Sequence, residues 1–224
     1  MINSNYSLTL PIIVAISGAS GTVYGIRILQ FLLANNHKVE LVISESASRV
    51  AKEEVNLNLS LSPQILKEQV LSYLESNTNK RIQPALLNVW AYNDIAASIS
   101  SGSYRTLGMI IIPASMGTIG SIASGTSDNL ITRAADVCLK ERRKLVLVPR
   151  EMPLNTIHLE NLLKLSNIGA IVAPASPAFY HRPEQLIHAI DFVVGKTLDL
   201  FGIEHSLFNR WKEENQSTLI TNQA

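Results

Sequence analysis

The amino-acid sequence predicts an α/β fold: a three-layer, mostly parallel sheet with helices on both faces. Three observations carry this. Apolar segments of strand length alternate with segments of helical spacing along the whole chain. The strand-like segments are continuous apolar runs rather than apolar/polar alternations, the pattern of strands covered on both faces. The chain has 224 residues, 46% of them hydrophobic and 17% charged, which suits one sizeable core and argues against disorder.

In order, Leu8–Ser17 reads as a buried strand ending in glycine. Gly21–Asn36 follows with Val23, Ile26, Leu29, Leu32 and Leu33 at helical spacing. Val39–Ser44 is a second strand and Ser46–Val55 a short helix. Ser62 with Pro63 behind it predicts a helix start, and that helix runs over Pro63–Glu75. Ser76–Pro84 is a polar loop, and Ala85–Ala91 a third strand. Leu107–Pro113 is a buried strand. Asp128–Arg143 reads as an amphipathic helix with an acidic cap and a Lys-Glu-Arg-Arg end that suits the helix dipole. Lys144–Pro149 is a strand, His158–Ser166 a helix, Gly169–Pro174 the last strand and Pro183–Phe201 the last helix. No repeat or break in composition divides the chain. One domain is therefore expected over 1–211, with 212–224 a flexible polar tail.

Composition excludes several functions. A formal net charge of +1 gives no bulk attraction to nucleic acid, so any anion must be held by local groups. Cys138 is the single cysteine, which fits a reducing, cytoplasmic setting. The five histidines form no HxxxH or HExxH pair and there is no CxxC, so no zinc site is expected. Met1–Leu10 lacks the basic and apolar regions of a secretory signal. The apolar runs are far shorter than the ~20 residues that span a bilayer.

Ligands of such sheets bind beyond the carboxyl ends of the strands, where the short polar motifs are expected to fall. Ser17–Gly21 joins the first strand to the first helix. Its glycines allow close backbone approach, and the helix start offers N–H groups to an anion. A plain tight turn explains it equally, since the spacing is not GxGxxG. Pro113–Thr118 is a second phosphate or ring cradle, or a capping turn with Ser115 as N-cap. Ile99–Tyr104 lines a site or is a solvated linker. Arg150-Glu151 follows a buried strand. There the arginine suits a phosphate and the glutamate suits proton exchange, unless the two form a surface ion pair. Pro177–Pro183 sets Phe179 and Tyr180 beside His181 and Arg182, either to stack on a planar ligand or to anchor the loop.

The combination ISGASG, SSGS, LITRAADVCLKERRKLVLVPRE, HLENLLKLSNIGA and PAFYHRP resembles the flavin prenyltransferases of the UbiX type, from about Pro11 to Trp211. The resemblance implies a flavodoxin-like or Rossmann-like architecture. It implies transfer of a dimethylallyl group from dimethylallyl phosphate to N5 and C6 of reduced FMN, without a metal. It also implies a dodecamer and delivery of prenylated FMN to a UbiD-type decarboxylase, in ubiquinone biosynthesis or aromatic acid decarboxylation. Carried onto this chain, Gly18, Ala19 and Ser20 form the flavin cradle, with Ser20 near N5, and Ser44 is a flavin contact. Ser115, Met116, Gly117 and Thr118 lie on the phosphate side, and Arg150 is the flavin-binding arginine. Ser20, Glu54 and Glu151 form the catalytic set. Arg133, Lys140, Tyr180 and Trp211 surround the prenyl phosphate. Lys196 stands where other members carry an arginine, and Asn93–Ser98 reads NDIAAS where some carry a tryptophan.

These residue types suit the chemistry. Allylic C–O cleavage needs a stabilised phosphate leaving group, which most prenyltransferases obtain from magnesium held by paired aspartates. No DDxxD occurs here, and a basic cluster with an acid is the substitute. Two rivals share the fold or the cofactor. A flavin-dependent decarboxylase of the phosphopantothenoylcysteine type needs a histidine after the second strand and a PxMNxxMW-like loop, and neither is present. A non-enzymatic FMN carrier needs the cradle but neither Glu151 nor Tyr180.

Overall fold

The computed structural model describes residues 10–77 and 81–211. By internal contacts it forms two compact units that part after Ala175. The expected tail, 212–224, lies outside the described residues.

The first unit is built on strands β1 (Ile12–Ile16), β2 (Val39–Ile43), β3 (Leu87–Trp90), β4 (Gly108–Ala114), β5 (Lys144–Pro149) and β6 (Ile171–Val172). Its helices are α1 (Thr22–Ala34), α2 (Glu45–Val55), α3 (Pro63–Ser76), α4 (Met116–Ser124), α5 (Leu130–Lys140) and α6 (Thr156–Asn167). All neighbouring strands pair in parallel, in the order β3-β2-β1-β4-β5-β6. This is the Rossmann order, in which the winding reverses between β1 and β4. Every residue of β1, β2 and β4 is buried, as their unbroken apolar runs require. Along β1 the side chains alternate between faces. Ile13 and Ala15 join Met109, Ile111, Leu145 and Leu147 in a core with Ile119 of α4, Ala134 and Cys138 of α5, and Leu165 of α6. On the other face Ile16 meets α1 at Gly25, where an added Cβ would stand 2.7 Å from both the Ile112 carbonyl oxygen and Ile16 Cδ1.

Several boundaries differ from the sequence expectation, each for a local reason. The Ala85–Ala91 strand begins only at Leu87, because Pro84–Leu86 forms a 3-10 turn. Only Ile171 and Val172 of Gly169–Pro174 pair with β5. Asn129, not Asp128, caps α5: its side chain accepts from Thr132 N–H at 3.0 Å, in a reciprocal capping box. That helix stops at Lys140, and Arg142 adopts a left-handed φ of 53°, so the Lys-Glu-Arg-Arg run is mostly a turn. Ser62 precedes α3 without a capping side-chain bond. Helix α4 was not expected as a helix; its start was read as a cradle or capping turn.

The second unit carries α7 (Leu186–Asp199), three residues later in its start than the expected Pro183. No helix among the described residues is long and apolar enough to cross a membrane.

The α1–β1 contact gives a stability prediction. Gly25→Ala places a methyl group against backbone as well as a side chain and should destabilise the protein by about 1–3 kcal/mol, the usual range for overpacking. Denaturant unfolding measures it. An unchanged midpoint would mean that α1 shifts freely away from the sheet.

Candidate active site

The carboxyl ends of β1, β2 and β4 meet where the winding reverses. Ser17, 1% exposed, holds two of them together. Its hydroxyl donates to the Pro113 carbonyl at 2.9 Å and accepts from Ser115 N–H at 2.7 Å. The third end is tied in by Ser44 N–H, which donates to Ile16 O at 3.1 Å. Gly18 must be glycine, because a Cβ there would overlap the Ser46 hydroxyl. Ser44 caps α2, accepting from Ala47 N–H at 3.1 Å, and its hydroxyl lies 3.1 Å from that of Ser46. The structure thus brings Gly18, Ala19, Ser20, Ser44 and Ser115 to one edge of the sheet.

Three helices start at this junction; Ser44 caps α2, and the starts of α1 and α4 differ. The N-terminus of α1 was expected to offer N–H groups to a ligand anion. It is taken by the protein itself. Glu54, from α2, accepts from Gly21 N–H at 2.9 and 3.0 Å and from Thr22 N–H at 2.8 Å. Partial burial pushes its carboxyl up, but hydrogen bonds from the Ser20 hydroxyl and the Gly21 and Thr22 N–H groups outweigh that and hold it below the usual carboxylate range. Glu54 is therefore an ionised cap at neutral pH, set to accept rather than donate a proton.

The N-terminus of α4 is open. Ser115 Oγ accepts from Thr118 N–H at 3.2 Å and donates to Thr118 Oγ1 at 3.0 Å. The Met116 and Gly117 N–H groups lie in the first turn, where a helix supplies no acceptor. A Cβ added to Gly117 would meet nothing within 4 Å. Room, free donors and the positive end of the dipole fit a phosphate here. The capping role of Ser115 and the cradle role are thus compatible.

Arg150 Nε donates to Ser20 O at 3.0 Å, which sets its charge against the first loop. Tyr24, in the first turn of α1, feels it: burial raises the Tyr24 phenol and Arg150 draws it partly back. Glu151 is exposed, and its Oε1 accepts from Met152 N–H at 3.1 Å. Among the described residues Arg150 and Glu151 make no ion pair with one another.

Arg133 and Lys140 are placed differently. Both lie on α5. Arg133 donates to Ser100 O at 3.2 Å and pairs with Asp136 at 2.9 Å. Lys140 pairs with Glu141. Arg143 donates to the carbonyls of Gly102 and Tyr104. The Ser98–Tyr104 segment thus runs along α5 toward the start of β4, and the Lys-Glu-Arg-Arg turn enters β5. The Ile99–Tyr104 loop was expected at a carboxyl strand end, whereas the Lys-Glu-Arg-Arg run was read as a helix end. Both reach the amino edge, because a segment entering a parallel strand sits opposite the segment leaving it. Six-residue β5 separates Lys140 from Arg150, which is about 20 Å at a rise of ~3.3 Å per residue. One chain does not bring them together.

In the second unit Tyr180 stands edge-on to Trp211, with centroids 5.1 Å apart, and to Phe192 at 5.8 Å. His181 stacks on Phe192 at 5.4 Å. Lys196 is 55% exposed in its side chain and reaches Asp199 at 3.4 Å. Asp199 also accepts from Arg210 at 2.7 Å and lies 3.1 Å from His205 Nε2. No cluster of three or more His, Cys, Asp or Glu suited to a metal occurs among the described residues.

Sequence reasoning missed Ser17 and Ser46. Ser17 lies inside a recognised motif, but nothing in its neighbours marks it as a cross-strand pin. Ser46 shows its role only once β1 and α2 are placed side by side.

The Glu54 cap has a pH signature. A carboxyl depressed by folding stabilises the protein fully above its unfolded value, about 4.3, and loses that contribution as pH falls through the lower folded value. The melting-temperature difference between wild type and Glu54→Gln should be constant near neutrality and shrink below about pH 4. A difference that persists undiminished to about pH 2 would refute the ionised cap.

Comparison with known proteins agrees with this geometry. Residues 2–205 match the Flavoprotein family. The flavin prenyltransferase UbiX of Alkalihalophilus pseudofirmus is 49% identical over 200 residues, 89% of this chain and 95% of its own length. The crystal structure of AnUbiX in complex with FMN and dimethylallyl pyrophosphate superposes with a TM-score of 0.78 at 40% identity, covering 92% of this chain and 98% of that one. A dodecameric FMN-dependent UbiX-like decarboxylase from Escherichia coli O157:H7 gives a TM-score of 0.78 at 42% identity, covering 91% and 100%. Matches of this extent and identity leave one assignment: the chain belongs to the flavoprotein family and, within it, to the UbiX flavin prenyltransferases.

Proposed function

We propose that this chain transfers a dimethylallyl group from dimethylallyl phosphate to N5 and C6 of reduced FMN. The observation that carries the reading is the pair of helix starts at the β1/β4 junction, one closed by Glu54 and one open at Gly117. In the related AnUbiX structure, FMN and a dimethylallyl donor occupy one protein.

Reduced FMN supplies the nucleophilic ring positions. The chain does the rest. Ser115, Met116, Gly117 and Thr118 hold the FMN phosphate on the α4 dipole, while Gly18, Ala19 and Ser44 border the ring. Glu54 orients the Ser20 hydroxyl and takes up a proton near it. Arg150 steadies the 17–21 loop and adds positive charge. Arg133, Lys140 and Lys196 neutralise the donor phosphate in place of a metal, and Glu151 delivers a proton to it as it departs. Tyr180 and Trp211 turn π faces to the positive charge that grows on the allyl fragment. With reduced FMN as acceptor, the donor C–O bond would break as its carbon bonds to N5, and phosphate would leave with its electron pair while N5 gives up its proton. The bond to C6 would consume the donor's double bond, whose other carbon takes up a proton as C6 loses one, so that the flavin gains C5H8. The product serves a UbiD-type decarboxylase, and the setting is cytoplasmic. That one family match runs over 2–205 supports the reading of 1–211 as one functional domain.

The site is completed by a second copy of the chain. Lys140 and Arg150 stand at opposite edges of one sheet, so a neighbour's Lys140 is the one that serves. The dodecameric Escherichia coli relative supports such assembly. So does the uncovered apolar surface of α6, where Ile157 and Leu163 are 65% and 62% exposed.

Anaerobic incubation with dithionite-reduced FMN and dimethylallyl phosphate should yield a flavin heavier by one C5H8 unit by mass spectrometry, with turnover unaffected by chelators. Parallel reactions with dimethylallyl pyrophosphate identify the donor. An unchanged flavin overturns the reading, and loss of turnover with EDTA overturns the metal-free form of it.

Subunit sharing is tested by complementation. Ser20→Ala and Lys140→Ala should each be nearly inactive. Mixed oligomers made by co-expression should recover about one quarter of wild-type activity, the random-assortment share for a site drawing on two subunits. Absence of recovery places the whole site in one chain.

A further inference from the structure

Among the described residues, Glu40 is the one acidic side chain buried within a strand. It lies on β2 and is 1% exposed. Its partners are neutral donors. Oε1 accepts from Asn88 Nδ2 at 3.1 Å and from the Tyr104 hydroxyl at 2.6 Å, and Oε2 accepts from Trp90 Nε1 at 2.6 Å. A buried carboxyl group is costly unless fully hydrogen-bonded, and these three bonds join segments otherwise far apart in sequence. Asn88 and Trp90 belong to edge strand β3. Tyr104 ends the loop that runs along α5. Burial, with the bond to Glu40 and its charge, pushes the Tyr104 phenol well above its ordinary value, so it remains a donor across the physiological range.

The same loop is fixed from its other side to α5 and the turn that follows it. Ser100 O accepts from Arg133, and the Gly102 and Tyr104 carbonyls accept from Arg143. At Gly102 a Cβ would stand 2.9 Å from Lys140 Nζ and overlap the Glu141 carboxyl, so the bare backbone fits against the Lys140–Glu141 pair. Loop and cations form one surface held from two sides, by Arg133 of α5 with Arg143 of the turn after it, and by Glu40 of β2.

We propose that Glu40 is a positioning residue for the donor-phosphate cations: through Tyr104 it holds the loop against which Arg133 and Lys140 are set. The inference rests on the reading of those two cations as donor ligands. It touches neither FMN nor the donor directly.

The test uses the full-length oligomer with Glu40→Gln and Tyr104→Phe. Glutamine keeps the shape but turns an N–H group toward a donor. Phenylalanine removes one hydroxyl and keeps the test open if Glu40→Gln fails to fold. Both variants should raise the KM for dimethylallyl phosphate about tenfold, the low end of what loss of an outer partner costs a site. Maximal kcat and the Kd for FMN should stay near wild type. Amide hydrogen exchange in 98–104 should quicken in both. Wild-type KM in folded variants overturns the proposal, including the case where exchange quickens, since Glu40 is then structural only. Should the wild-type enzyme fail to prenylate FMN, the functional reading falls by itself. Unchanged exchange in 98–104 overturns the anchoring whatever the activity.

Discussion

Strand β1 lies between β2 and β4, all three parallel and buried, and the site depends on that arrangement. Parallel pairing sends three chain segments out of one edge within about two strand spacings, roughly 10 Å. Their backbone groups no longer have ladder partners there, and the buried ones must find others. Ser17 answers this for β1 and β4 with a single hydroxyl that both donates and accepts. Ser44 answers it for β2 by capping the helix that follows. What remains unpaired is the first turn of α4, and an anion is the natural partner for it.

The division between the two helix starts sets the electrostatics of the junction. The starts of α1 and α4 add two positive dipole ends to the Ser44-capped start of α2, in a chain whose net charge is only +1. Glu54 neutralises one of them and is itself kept ionised by the contact. The α4 start is left as the open one, the place proposed for the FMN phosphate, and an ionised carboxylate stands beside Ser20. Exchange of these roles would place the ligand phosphate on α1 and leave Glu54 exposed without its donors.

The fold was legible because burial on both faces writes an unmistakable pattern. The expected Lys144–Pro149 strand is β5 as observed, and Ser115 caps a helix as one reading had it. Boundaries failed where two residues compete for one task, as Asp128 and Asn129 do at the start of α5. The site was legible as a set of residue types but not as a set of places. A serine-rich loop and a basic turn look alike in sequence whether they leave a strand or enter one. Only the pairing order shows that Ser98–Tyr104 and Lys140–Arg143 reach the amino edge. Glu54 was recognisable by resemblance. That it closes a helix 33 residues upstream is a matter of how α2 packs on α1, which no local pattern states.

The three cations assigned to the donor share a feature that bears on how they work. Arg133 pairs with Asp136, Lys140 with Glu141 and Lys196 with Asp199. Each pair is local in sequence and at least partly exposed, so the acid holds its partner only weakly. The pairing orients each cation without neutralising it deeply, and a doubly charged phosphate competes well against a solvated carboxylate. Lys196 is the loosest of the three at 3.4 Å, and its Asp199 has Arg210 and His205 as further partners. In the proposed role, where Lys196 turns to a phosphate, Asp199 would keep its charge compensated by these two. An arginine at this position would bind the phosphate in two-pronged fashion, whereas lysine contributes a mobile point charge. Arg210 and His205 around Asp199 would make the proposed exchange cheap, because the one carboxylate is not stranded by it.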